Sequence, residues 1–163
     1  MNLQELTALF RKLGADDPEG WARSQIRENI PQLARFLFLK QAWKLVLSED
    51  DRNWISEARQ VDPNGSGGDI GPAIARILAA GGDEDDLTKI VRVKQWELLF
   101  GLCYLLDDPL YLRDDCEVIE KEAGDIFWCL FQVDDSCHPI AEIGGLHESV
   151  LRTEPTGREM RPK

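Results

Sequence analysis

Apolar positions Leu3, Leu6, Leu9, Phe10 and Leu13 recur at the spacing of one helical face and end at Gly14, which predicts a helix over 2–13. Asp16-Asp17-Pro18-Glu19 opens a second helix, 18–29, with an acidic cap and a proline in the first turn. Pro31 cannot donate to a helical ladder, so a break is expected there. From Gln32 to Leu47 apolar residues run almost all the way round, the pattern of a central helix. Ser48-Glu49-Asp50-Asp51 then opens a helix over 49–60 with Trp54, Ile55 and Ala58 on one side.

The segment Asp62-Pro63-Asn64-Gly65-Ser66-Gly67-Gly68-Asp69 reads as a loop, followed by an alanine-rich helix over 72–80 that stops at Gly81-Gly82. Asp83 to Asp86 suits the positive end of a long helix over 87–106, which should stop before Pro109. Asp107-Asp108-Pro109 and Asp114-Asp115 bracket a turn. Val118, Ile119, Ala123, Ile126, Phe127, Leu130 and Phe131 then predict a helix over 116–133, although Phe127–Val133 also has the composition of a strand. Beyond it, 139–143 reads as extended, Gly144-Gly145 as a turn and 146–151 as one or two helical turns.

The expected architecture is therefore all-α: a single compact domain over 1–152, with six to seven helices around apolar helices 32–47, 87–106 and 116–133. Trp43 and Trp96 should both be buried where 32–47 and 87–106 pack together. Apolar surface in excess of what a small bundle covers should be buried in a homodimer. Composition alone reads the proline-containing tail 153–163 as disordered; if it is held in place, Arg158, Arg161 and Lys163 should lie along carboxylates of the acidic middle, among them Asp107, Asp108, Asp114 and Asp115, with Met160 as an apolar anchor.

Charge narrows the partners. The net charge is −11, and residues 50–125 hold 18 of the 30 acidic residues but 8 of the 19 basic ones. Such a field repels phosphate backbones and anionic headgroups, so neither nucleic acid nor membrane is an expected partner. The longest apolar run, Leu98–Leu106, is about half of a bilayer span. Cys103, Cys116, Cys129 and Cys137 stand too far apart for a CxxC pair, and the start Met1-Asn2-Leu3-Gln4-Glu5 lacks a signal-peptide pattern. Free thiols, no structural zinc and a cytoplasmic location are expected.

Candidate chemistry is sparse. The glycine-rich loop leads into a helix, yet it lacks Gly-Lys-Ser/Thr and is flanked by Asp62 and Asp69, so it reads as a connector rather than a phosphate cradle. Asp83–Asp86 lacks the alternation of a calcium loop and reads as helix cap and surface. Cys137, His138 and His147 could meet at zinc only with a distant cysteine, and loop and cap roles suit them better. No Gly-x-Ser-x-Gly elbow occurs. Leu39-Lys40-Gln41-Ala42-Trp43 and Val93-Lys94-Gln95-Trp96 echo each other too briefly to establish a duplication.

Glu122 and Asp125, three residues apart before the apolar stretch Ile126–Leu130, share one helix face. This pair resembles the Glu-x-x-Asp helix of the all-α nucleotide pyrophosphohydrolases of the MazG type. The resemblance implies magnesium held by Glu122 and Asp125 with a second carboxylate pair. Lys94 and Glu97 offer half of that second pair, and Glu117 and Glu120 lie on the same predicted helix. It covers about ten residues. The alternative is that Glu122 and Asp125 are the solvated side of an amphipathic helix.

The blocks Leu98–Pro109 and Gly145–Ser149 are similar to small uncharacterised bacterial proteins of unknown function, a resemblance that implies no activity. The expected role is that of a non-catalytic, cofactor-free protein-binding or regulatory protein, similar to toxin-neutralising immunity proteins, with a basic partner.

Overall fold

The computed structural model describes residues 1–109 and 127–162. The chain is mostly helical, and a two-stranded ribbon is the one sheet among the described residues. The backbone divides into two compact units. Met1–Lys44 and Leu98–Lys163 form the first, and Leu45–Glu97 the second.

The first unit begins with α1 (Leu3–Lys12), closed by a reciprocal cap. The Glu5 N–H donates to the Asn2 side chain, and the Asn2 N–H donates to the Glu5 carboxylate. In α2 (Pro18–Glu28) Asp17 accepts from Gly20 N–H, and the helix ends at Asn29 in the left-handed conformation, φ 55°. The third helix, α3, is Gln32–Ala42, and Trp43–Leu45 continues it as a 3₁₀ turn. Leu6, Phe10, Trp21, Ala22 and Phe36 form the core of these three helices. Phe10 stacks on Trp21 at 6.0 Å and meets Phe36 edge-on at 5.5 Å, and Trp21 meets Phe36 edge-on at 5.5 Å.

In the second unit α4 (Asn53–Ala58) packs on α5 (Ile70–Ala79) through Ile55, Ala58 and Ile74. Gly71 permits that approach, since a Cβ there would stand 3.1 Å from the Ala58 carbonyl. The long helix α6 (Glu84–Asp107) starts here and runs on into the first unit. Its start lies three residues before the expected one because Asp83 accepts from the N–H groups of Asp85 and Asp86. Trp54 Nε1 donates to Thr88 Oγ1 at 2.9 Å, and Leu47 N–H donates to Gln95 Oε1 at 2.8 Å.

Three expectations change. The helix over 32–47 stops being α-helical at Ala42, and Leu45 is 79% exposed, so an apolar circumference does not here mean central burial. The same holds for α6, where Leu98 is 73% exposed, while Trp43 is buried and Trp96 half-buried. Of the helix predicted over 116–133, residues 116–126 lie outside the described residues, and 127–133 is not helical. Phe131–Val133 forms β1, antiparallel to β2 (Pro139–Glu142). Aromatic and β-branched residues there favour the pleated conformation over a last helical turn.

After the ribbon come α7 (Leu146–Ser149) and a 3₁₀ turn, Leu151–Thr153. Trp43 Nε1 donates to the Val150 carbonyl at 2.8 Å, fastening this end of the chain to α3. In the tail Arg161 pairs with Glu159 at 2.6 Å and accepts, through its carbonyl, from Arg158 Nη1, while Asp114, Asp115 and Lys163, named in the expected tail pairing, lie outside the described residues. Buried Glu154 accepts from Thr156 Oγ1 and Arg158 N–H, which folds the tail on itself.

Candidate functional site

Two places gather chemistry, both in the first unit. One is the junction of α6 and α7. Gly145, at φ 67°, turns the chain into α7 so that His147 faces the last residue of α6. Asp107 Oδ2 accepts from His147 N–H at 2.9 Å and lies 2.6 Å from His147 Nδ1. The imidazole also packs 4.3 Å from the Tyr104 ring. Asp107 is almost wholly buried, whereas His147 keeps about a quarter of its side chain in solvent. A carboxylate at Nδ1 fixes ring orientation and leaves Nε2 as the free end, the arrangement of an oriented base or of a structural clamp.

The surroundings favour the clamp. Cys103, one turn before Asp107, is buried, and its thiol is pushed up to about 12, first by burial and then by Asp107, so it is no nucleophile at neutral pH. Arg35 lies against Gly145, where a Cβ would meet its Nη2 at 2.8 Å and push the guanidinium aside, and the left-handed turn at φ 67° favours glycine whatever the space. Burial pushes the Arg35 guanidinium down, and the fields of Asp107, Glu148 and Glu28 oppose that. Asp107 Oδ1 and Arg35 Nε are buried without a hydrogen-bond partner among the described residues.

The other place is the ribbon. Gln132 and Ala141 pair across it and are half-buried, while Phe131, Val133 and Ile140 are 40%, 46% and 58% exposed. Period-two alternation thus turns an apolar face outward. Phe127 and Trp128, just before β1, are exposed as well, and Trp128 Nε1 donates to the Leu105 carbonyl at 2.9 Å. Carboxylates rim this face: Asp134 and Asp135 follow β1, and Glu142 ends β2.

At the ribbon tip Asp134 Oδ1 accepts from the N–H groups of His138 and Ser136, and its other oxygen lies 3.3 Å from His138 Nδ1. Bonds from the His138 and then the Ser136 backbone hold its carboxyl below the usual carboxylate range. A depressed carboxyl stabilises the fold above its unfolded value and loses that contribution as pH falls through the folded one. The tip should therefore stay ordered down to about pH 4 and fray below it. Protection of the Ser136 and His138 amides, measured by NMR as exchange relative to the intrinsic rate at each pH, should fall in that range while that of Ile143 is unaffected; protection unchanged to about pH 2 would remove Asp134 as the tip's fastener.

The other candidate residues are dispersed. Glu122, Asp125, Glu117, Glu120 and Cys116 lie outside the described residues, as do Asp114, Asp115 and Lys163. Cys137 and His138 stand at the ribbon tip and His147 at the α6–α7 junction, and among the described residues no three metal-ligating side chains gather. In the glycine-rich loop the Asn64 N–H is taken by the Asp62 side chain and the Gly65 N–H by the Asp62 carbonyl, so these amides serve the turn itself. A cleft of about 290 Å³ lies among Lys40, Trp43, Arg152 and Glu154. Its cations are engaged: Lys40 donates to the Leu13 carbonyl, and Arg152 lies 5.0 Å over the Trp21 ring.

No family model, curated protein or solved structure matches the chain. Among the described residues no helix is long and apolar enough to cross a membrane. The Asp107–His147 pair escaped the sequence reading because its partners are 40 residues apart. The ribbon face was open to discovery through the alternation of Phe131, Gln132 and Val133.

Proposed function

We propose that the protein is a non-catalytic binding protein, of the immunity or regulatory kind, that takes a basic protein partner. The observation that supports this reading is the exposed apolar face of the ribbon with Asp134, Asp135 and Glu142 at its rim. Exposed apolar side chains that share one face are costly in water unless something covers them. Carboxylates around such a face select a cationic partner and speed the encounter. The net charge of −11 adds long-range attraction for the same class of partner.

The test is affinity capture from the source cells with the whole chain as bait. A partner of basic composition should be enriched, and it should be released when salt rises from about 0.1 M to about 1 M, where the screening length falls from about 10 Å to about 3 Å. An acidic partner held regardless of salt, or no enrichment over an inert acidic protein, would overturn the reading.

A further inference from the structure

The two edges of the ribbon are not equivalent. Ile143 N–H donates to the Leu130 carbonyl at 2.7 Å and Asp134 N–H to the His138 carbonyl at 3.0 Å. Leu130, Gln132 and Asp134 therefore turn their main-chain groups toward β2, and Phe131 and Val133, one residue out of phase, turn theirs away. Those outward groups have no hydrogen-bond partner among the described residues. An open edge of this kind is normally blunted by a proline, a bulge or a lysine.

The β2 strand has two of those devices. Pro139 lacks an N–H, and Ile140 is an extra residue, since Gln132 faces Ala141 while Val133 faces Pro139. The β1 strand, Phe131-Gln132-Val133, has none of them. A two-stranded ribbon is also marginal by itself, and a third strand would bring it to the size at which sheets become stable.

We infer that the outer edge of β1 is a docking edge that takes an extended basic segment of a partner protein as a third strand. The inference rests on the basic-partner reading above. Main-chain bonds to Phe131 and Val133 would supply the affinity, and alternating side chains of the added strand would meet the apolar face on one side. Asp134 and Asp135, directly after β1, call for lysine or arginine at the facing end of that strand. A second copy of this chain, pairing through the same edge, is a poor occupant, because its β1 carries no lysine or arginine to meet those carboxylates.

The probe is a synthetic peptide of alternating lysine and valine, added to the whole protein. It should slow amide exchange at Phe131 and Val133 and leave Glu142, on the guarded edge, unchanged. The same peptide N-methylated on alternate residues cannot complete a ladder and should bind about tenfold more weakly, as should the unmethylated peptide to Val133→Pro, which lacks the outward N–H. The methylated peptide needs no variant, so the result does not hang on how Val133→Pro folds. If the lysine–valine peptide binds but protects other amides, or is indifferent to methylation, the docking edge is overturned and the basic-partner reading survives. If neither this peptide nor any basic protein binds, both are overturned.

Discussion

Phe10→Ala is expected to destabilise the first unit by about 3–5 kcal/mol, the range for removing a buried aromatic ring. Phe10 is fully buried and touches both other rings of the trio, so its loss opens a void that Trp21 and Phe36 cannot both fill. The helices involved are short: α1 and α2 have 10 and 11 residues, too few to persist without tertiary contacts. A small domain has about 5–15 kcal/mol in all, so urea unfolding should show most of the margin gone. Phe10→Leu, which keeps part of the volume, should lose about half as much or less. A loss under about 1 kcal/mol for the alanine variant would show that the trio does not hold the three helices together.

Asp107→Ala is expected to cost about 2–4 kcal/mol, because it leaves the His147 N–H and ring without their acceptor and removes a carboxylate whose field acts on half-buried Arg35. Asp107→Asn, whose amide oxygen still accepts one bond, should fall between the alanine variant and the native protein. Combining Asp107→Ala with His147→Ala in a denaturation cycle should give an effect well short of the sum of the two. Strict additivity would show that the contact contributes nothing of its own and that α7 is held by its other contacts.

The helical half of the molecule was legible because its signals are local. Asn2, Asp17 and Asp83 accept from amides two or three residues ahead, and each marks a boundary that the sequence places within a few residues. Legibility failed where one segment satisfies two periods. Phe127, Leu130 and Phe131 suit a helical face, yet Phe131, Gln132 and Val133 also alternate, and pairing with Pro139–Glu142 decides for the strand.

The site was less legible than the fold. Nothing near Asp107 in the chain indicates His147, and nothing near Trp43 indicates the Val150 carbonyl; such contacts are set by how distant segments return. Apolar content around 32–47 and 87–106 was a poor guide for a related reason. It records how much surface can be covered, and Leu45, Leu98 and Leu102 remain in solvent.

The first unit is written in two instalments, with Leu45–Glu97 between them. A ribosome delivers α1, α2 and α3 early, and the ring trio can assemble while the rest is still being made. The bond from Trp43 to Val150 must wait, since its acceptor lies 107 residues downstream. Until then the first instalment has an unfinished surface, the kind of exposure that makes partly made chains prone to association. A chain cut anywhere before Val150 would keep the first instalment but never make the bond that ties the second to it.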